Sequence, residues 1–181
     1  LHHRIEHVEG RLKELEKRRG ETRRARQKNN VPVVALVGYT NVGKSSLLNA
    51  LCGEQIFEAD MLFATLDPTA RKLVLPSGLQ IILVDTVGFV SRLPHHLVEA
   101  FKSTLEEAAC ADIIIHVCDV SDPEAAEKAD VTLKTLADLG AAEIPVVTVL
   151  NKCDLLTENI PEDDSTVKIS AKKAQGIDRL L

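Results

Sequence analysis

A β-branched apolar run that opens without a linker into a glycine-framed loop leaves this chain few folds to choose from. Val31 to Val37 (VPVVALV) reads as a strand buried on both faces. It leads straight into Gly38-Tyr39-Thr40-Asn41-Val42-Gly43-Lys44-Ser45, which fits G-x-x-x-x-G-K-[ST]. Glycines let such a loop wrap so that successive N–H groups face one anion. Lys44 is placed to reach β- and γ-phosphate oxygens, and the Ser45 hydroxyl to bind Mg²⁺. Ser46 to Leu51 reads as a helix whose N-terminal dipole adds to the phosphate site. Gly38, Asn41, Val42, Gly43, Lys44, Ser45 and Ser46 are therefore the candidate phosphate-binding residues. The motif alone does not separate ATP from GTP.

A second buried-strand run, Ile144 to Leu150 (IPVVTVL), ends at Asn151-Lys152-Cys153-Asp154. An Asp carboxylate can accept the N1–H and exocyclic amine of guanine, whereas adenine would leave it unpaired. That makes Asn151, Lys152 and Asp154 the candidate base-reading residues. Between the two motifs, Leu79 to Val84 (LQIILV) ends in Asp85-Thr86-Val87-Gly88. Asp85 is expected in the Mg²⁺ shell and the Gly88 amide on the γ-phosphate. Pro76-Ser77-Gly78 supplies the turn from a preceding antiparallel strand, Arg71 to Leu75. A threonine from the loop between positions 54 and 70 is needed to close over metal and γ-phosphate: Thr65, with Thr69 second. Late in the chain Val167-Lys168-Ile169 leads to Ser170-Ala171-Lys172, where the Ala171 amide is expected to meet guanine O6.

Composition removes several other classes. No apolar run approaches the roughly 18 residues that cross a bilayer, so integral membrane association is not expected. Cys52, Cys110, Cys118 and Cys153 show no C-x-x-C spacing, which favours a reducing, cytoplasmic setting over a disulfide or zinc scaffold. With no Trp, one Tyr and four Phe, base-stacking nucleic-acid recognition is also disfavoured. His95 and His96 have no third ligand at metal spacing, and His116 sits in a buried-strand pattern. Leu97, Phe101 and Leu105 recur as the core stripe of a helix.

The net charge of −5 hides a boundary: residues 1–30 hold ten Lys/Arg against five Asp/Glu, and residues 31–181 twelve against twenty-two. Leu1, Ile5, Val8, Leu12 and Leu15 follow a coiled-coil seam, and seven of the twelve residues from Lys17 to Lys28 are basic. Two units are expected, a basic amphipathic helical linker at 1–30 and an α/β domain at 31–181. With no initiator Met or basic-then-apolar leader, the chain reads as part of a longer protein whose last helix is cut at Leu181.

Taken together these elements resemble the Ras-like P-loop GTPase superfamily. VALVGYTNVGKSSLLNAL, MLFATLDPTAR, DTVGFVSRLPHHLVEAFKSTLEEA and NKCD are similar to the HflX family of translation-associated GTPases, over about residues 31–176. The resemblance implies a six-stranded, mostly parallel sheet flanked by helices. It implies GTP and GDP as ligands with Mg²⁺ held by Ser45, Thr65 and Asp85, and catalytic roles for Lys44, Thr65 and Gly88. It further implies a monomer that acts as a nucleotide-dependent switch on the large ribosomal subunit and its rRNA, splitting or rescuing ribosomes under stress, with an N-terminal domain upstream. Thr65 takes its role from the family's FATLDPT segment.

Two positions qualify the mechanism. Phe89 stands where Ras-type enzymes carry the Gln that orients the attacking water, so slow intrinsic hydrolysis is expected. Asn41 resembles the asparagine that lets some relatives bind K⁺ near the β–γ bridge. The competing reading is an RNA- or ribosome-assembly binding factor with vestigial hydrolysis, carried by the Arg-rich segment. An ATP-dependent P-loop kinase stands further off, since it has no need of N-K-x-D.

Overall fold

A computed structural model of the chain describes residues 31–53, 69–89, 105, 108–156 and 165–181. The basic segment 1–30, Thr65, His95, His96, Leu97, Phe101 and the acidic run at 162–164 lie outside those residues.

Six strands form one sheet: β1 (Val33–Val37), β2 (Thr69–Val74), β3 (Gln80–Asp85), β4 (Ile113–Asp119), β5 (Val146–Asn151) and β6 (Thr166–Lys168). Their order is β2-β3-β1-β4-β5-β6, and every neighbouring pair is parallel except β2 with β3. This is the expected mostly parallel sheet. The β2–β3 connection is a tight turn, with the Gly78 amide donating to Leu75 O at 2.8 Å. Two strands start later than their apolar runs because each run contains a proline, which has no N–H for the ladder. Pairing nevertheless reaches back to both: Pro32 O accepts from Ile82 N, and Pro145 O from Ile114 N, each at 2.9 Å.

The β-branched runs are apolar throughout because both faces of the sheet are covered. Val34 and Leu36 of β1 join Leu83, Val117 and Val149 against Leu47, Leu48 and Leu51 of helix α1 (Lys44–Cys52). Ala35 and Val37 point the other way, with Ile114, Leu105, Ala108 and Leu136. Leu136 closes helix α2 (Ala125–Leu136), which runs on into a wider turn, Ala137–Ala141, broken at Gly140. Leu105, the described member of its expected stripe, is fully buried. Gly53 stops α1 in a left-handed cap, its amide donating to Asn49 O at 2.8 Å. Among the described residues no helix is long and apolar enough to cross a membrane, and all four cysteines are free thiols.

The strand order sets where a ligand can sit. From β1 the chain passes to β2 and β3 on one side, and from β3 it crosses to β4 on the other side of β1, so the connections diverge about β1 and favour a crevice beyond its carboxyl end. The glycine-framed loop starts at that point.

His116, in the middle of β4, is only 2% exposed, as its strand pattern suggested. Burial pushes its pKa from 6.5 down to about 4. The unfolded chain therefore takes up a proton near pH 6.5 that the folded chain refuses until about pH 4. The stability this contributes is complete above pH 6.5 and is lost as pH falls through that window, by up to about 3 kcal/mol. Urea unfolding of the chain and of His116→Leu between pH 7 and 4 should show the variant gaining relative stability with acid by that order.

Candidate functional site

The loop from Gly38 to Gly43 curls around its own lysine. Lys44 opens α1 with its side chain 7% exposed, and its Nζ donates to Gly38 O at 3.0 Å and Tyr39 O at 2.8 Å. Burial lowers its pKa from 10.5 to about 8, partly opposed by the nearby negative charge of Asp85. Gly43 is required twice over. Its φ of +95° suits glycine, and a β-carbon there would collide with the Asn151 side-chain nitrogen. Asn41 also has a left-handed backbone (φ +61°) and faces solvent, while Val42 is buried. Ser46 lies in the first turn of α1.

Beside this loop, the end of β3 supplies oxygen ligands. Ser45 Oγ donates to Asp85 Oδ2 at 2.9 Å, and Asp85 is 1% exposed. A hydroxyl on a helix N-terminus and a buried carboxylate are a donor set suited to a hard cation such as Mg²⁺. Thr86 fixes the next turn, its Oγ1 donating to Leu36 O at 2.7 Å. Gly88 then passes so close that a β-carbon on it would lie 2.8 Å from Lys44 Nζ and 2.9 Å from Thr40 Cα. Thr69, second choice for the closing threonine, stands opposite Asp85 in the β2–β3 register.

Phe89 is tied to the phosphate loop by backbone and ring. Its amide donates to Gly38 O at 3.0 Å, and its carbonyl accepts the Thr40 amide at 2.9 Å. The ring is 3% exposed and stacks on Tyr39, with centroids 6.1 Å apart and planes 29° from parallel. Lys128 of α2 lies 5.9 Å from the Tyr39 ring centroid.

The base-reading motif converges on the same end of the sheet. Asn151 closes β5, and its side chain spans two loops: Nδ2 donates to Val42 O at 2.8 Å, and Oδ1 accepts the Ala171 amide at 2.9 Å. The Ala171 amide, expected to face a base oxygen, thus donates to Asn151. Lys152 has a left-handed backbone and places Nζ 2.5 Å from Asp119 Oδ2. The Asp154 carboxyl is held below its ordinary pKa, first by the Ser170 hydrogen bond and then by Lys173, whose Nζ is 3.4 Å away. Ser170 is fully buried and Lys172 exposed. Tyr39, Asp119 and Lys173 were not singled out in the sequence. Asp119 carried one usable signal, its place at the end of a β4 run that could lie beside the strand ending in Asn151.

The sequence matches the profile of a family described as "50S ribosome-binding GTPase" over residues 33–152. The chain belongs to that family. It is similar to the HflX GTPases: it is 58% identical to GTPase HflX of Caldanaerobacter subterraneus subsp. tengcongensis, over all of this chain and 42% of that protein. It therefore spans less than half the length of that relative. Among solved structures it is similar to a GTP-binding protein from the archaeon Sulfolobus solfataricus in complex with GDP. There the TM-score is 0.70 at 27% identity, covering 92% of this chain and 56% of that one. It is also similar to Era in complex with MgGDPNP and a segment of 16S ribosomal RNA, with TM-score 0.63 at 31% identity, covering 83% of this chain and 54% of that one.

In this GTPase-family domain the closeness of Gly88 to Lys44 can be checked directly. Gly88→Ala must push the Thr40 backbone or the lysine aside, so urea unfolding should report a loss of about 1–3 kcal/mol. Unchanged stability would mean that this approach is looser than 2.8 Å.

Proposed function

We propose that the chain binds guanine nucleotide and hydrolyses GTP to GDP, as the nucleotide-dependent switch of a protein that works on the large ribosomal subunit. The observation that carries this reading is the Asn151 side chain, which ties the phosphate loop at Val42 to the Ser170-Ala171-Lys172 loop. It brings Lys44 and Asp154 to one edge of the sheet, as a single nucleotide spanning phosphate loop and base loop requires. The family description, 50S ribosome-binding GTPase, and the rRNA-bound Era structure support a ribosomal partner.

Each group has a task that its position suits. Lys44 exchanges its bonds to two loop carbonyls for phosphate oxygens, whose charge restores the ammonium that burial disfavours. Ser45 and Asp85 would hold Mg²⁺, which would supply positive charge to offset that of the phosphates. Thr65, which lies outside the described residues, would complete that shell. The Gly88 amide, beside Lys44, follows the γ-phosphate. Asp154 accepts the paired donors of guanine, and its lowered pKa keeps it ionised at neutral pH. The loop of Ser170, Ala171 and Lys172 is held to the same site by the Ala171 amide, which would have to exchange Asn151 Oδ1 for the base oxygen to bond it.

Hydrolysis adds a water oxygen to the γ-phosphorus and releases the β–γ bridging oxygen with GDP. Phe89 takes no part in orienting that water: a phenyl ring has no donor or acceptor, and this one is stacked inward on Tyr39. The intrinsic rate is accordingly slow, and a ribosomal surface or a reordered loop completes the site. Asn41, exposed on the loop, is the residue through which K⁺ would act.

Labelled GDP should be displaced by GTP and not by ATP, and Lys44→Ala should weaken GTP binding at least about ten-fold. GTP turnover measured with and without large ribosomal subunits should rise when they are added. Rapid turnover by the chain alone, unaffected by subunits, would overturn the switch reading. Equal displacement by ATP would overturn the guanine assignment.

A further inference from the structure

Asp119 belongs to none of the motifs above, yet both oxygens of its carboxylate are committed at the edge of the base-reading loop. It ends β4 directly beside Asn151, its register partner on β5. Oδ1 accepts the Ser121 amide at 3.0 Å and the Ser121 hydroxyl at 2.6 Å. Oδ2 accepts Lys152 Nζ at 2.5 Å. The serine turn aims the carboxylate independently of the lysine, so the ammonium meets a fixed target. Lys152 reaches it from a left-handed backbone (φ +66°) that side chains seldom adopt. The side chains are 15% and 33% exposed, so solvent screens the pair and its value lies in geometry more than in raw attraction.

From this geometry we infer that Asp119 is a positioning residue for the nucleotide: it pins the Lys152 ammonium at the sheet edge so that the lysine's methylene stem forms one preset wall of the base slot. The inference rests on the guanine-nucleotide reading of the site. Asp154, two residues on, is held in turn by Ser170 and Lys173. Both side chains flanking the slot are therefore ordered before a base arrives. A lysine without its anchor would sample many rotamers and would have to be ordered on binding, which lowers affinity.

A double-mutant cycle on equilibrium binding of fluorescent GDP to the 181-residue chain tests this. Asp119→Asn keeps an oxygen for Ser121 and turns an amide towards Lys152. It should weaken GDP about ten-fold. Lys152→Met keeps an apolar stem without charge, and in that background Asp119→Asn should change GDP affinity by less than about two-fold. Equal losses in both backgrounds would show that Asp119 acts as an ordinary turn residue, overturning the inference. So would no loss in either while the unsubstituted chain binds GDP normally. Failure of the unsubstituted chain to bind GDP would overturn the nucleotide reading and this inference together. Should Asp119→Asn unfold the chain, Ser121→Ala reads the same coupling: it should weaken GDP about three-fold with Lys152 present and leave it unchanged with Lys152→Met. Equal loss in both backgrounds would again refute the role.

Discussion

A primary amide offers a donor and an acceptor on opposite sides of a short rigid plane, and two loops of this domain are joined through one such group. Asn151 donates to a carbonyl 109 residues earlier and accepts from an amide 20 residues later, both bonds buried. Neither loop could keep its shape without it. Val42 would leave a buried carbonyl unpaired, and Ala171 a buried N–H, each costing about 1–3 kcal/mol. The same residue explains why Gly43 can carry no side chain, since the Asn151 nitrogen occupies the space a β-carbon would need. An Asp in its place could accept but not donate, and a Ser could not span the gap. One residue thus fixes how far the loop from Gly38 to Gly43 stands from the loop of Ser170 to Lys172.

The other side of the loop is held by different physics. Phe89 adds one rung of parallel pairing to Tyr39 and buries its ring against it. In enzymes with Gln at this point, a polar group free to face the phosphate is the useful property. Here the residue is committed to the core beside Val87, Leu105 and Ala108. The segment that should sense the γ-phosphate therefore begins clamped to the loop that binds it, with Gly88 pressed between Lys44 and Thr40. A nucleotide that draws Lys44 off the Gly38 and Tyr39 carbonyls alters the support of the Phe89 rung at the same time, because Gly38 O serves both. Phosphate occupancy and the start of the sensing segment share an acceptor.

Much of the fold could be read in the sequence, for a physical reason. A strand buried on both faces has to be apolar at every position, so β1, β3, β4 and β5 stand out as runs, and the glycine-lysine loop dictates a helix directly after β1. Strand ends were less legible. Pro32 and Pro145 lie inside their runs but lend only carbonyls to the ladder, which moves β1 and β5 inward from the apolar boundary. The candidate site divides in the same way. Residues whose role is set by local motif, such as Lys44, Ser45 and Asp85, could be named in advance. Tyr39, Asp119 and Lys173 could not, because each acts on a partner brought near only by the strand order or by loop packing. The Ala171 amide shows a subtler gap: spacing identified the loop but not which acceptor its N–H would choose.

Asp119 and Asn151 close neighbouring strands in register, and from that end one bonds Lys152 and the other the Ala171 amide. Parallel strands that end together bring their last side chains to a common edge, with the connections leaving on either side. Asp119 and Asn151 are fixed by ladders of six residues or more, and the turns that carry Lys152 and Ala171 are tied to those two side chains. That rigidity suits the hydrogen-bonding part of the job, since discrimination between bases depends on donors and acceptors being held apart at fixed spacing before the base arrives. The loop from Gly38 to Gly43 is held as closely, since a β-carbon on Gly38 would meet Val117 O and one on Gly43 the Asn151 side chain. Both loops are therefore braced against strand ends and against each other through Asn151, so a ligand that spans them meets spacings set by the sheet.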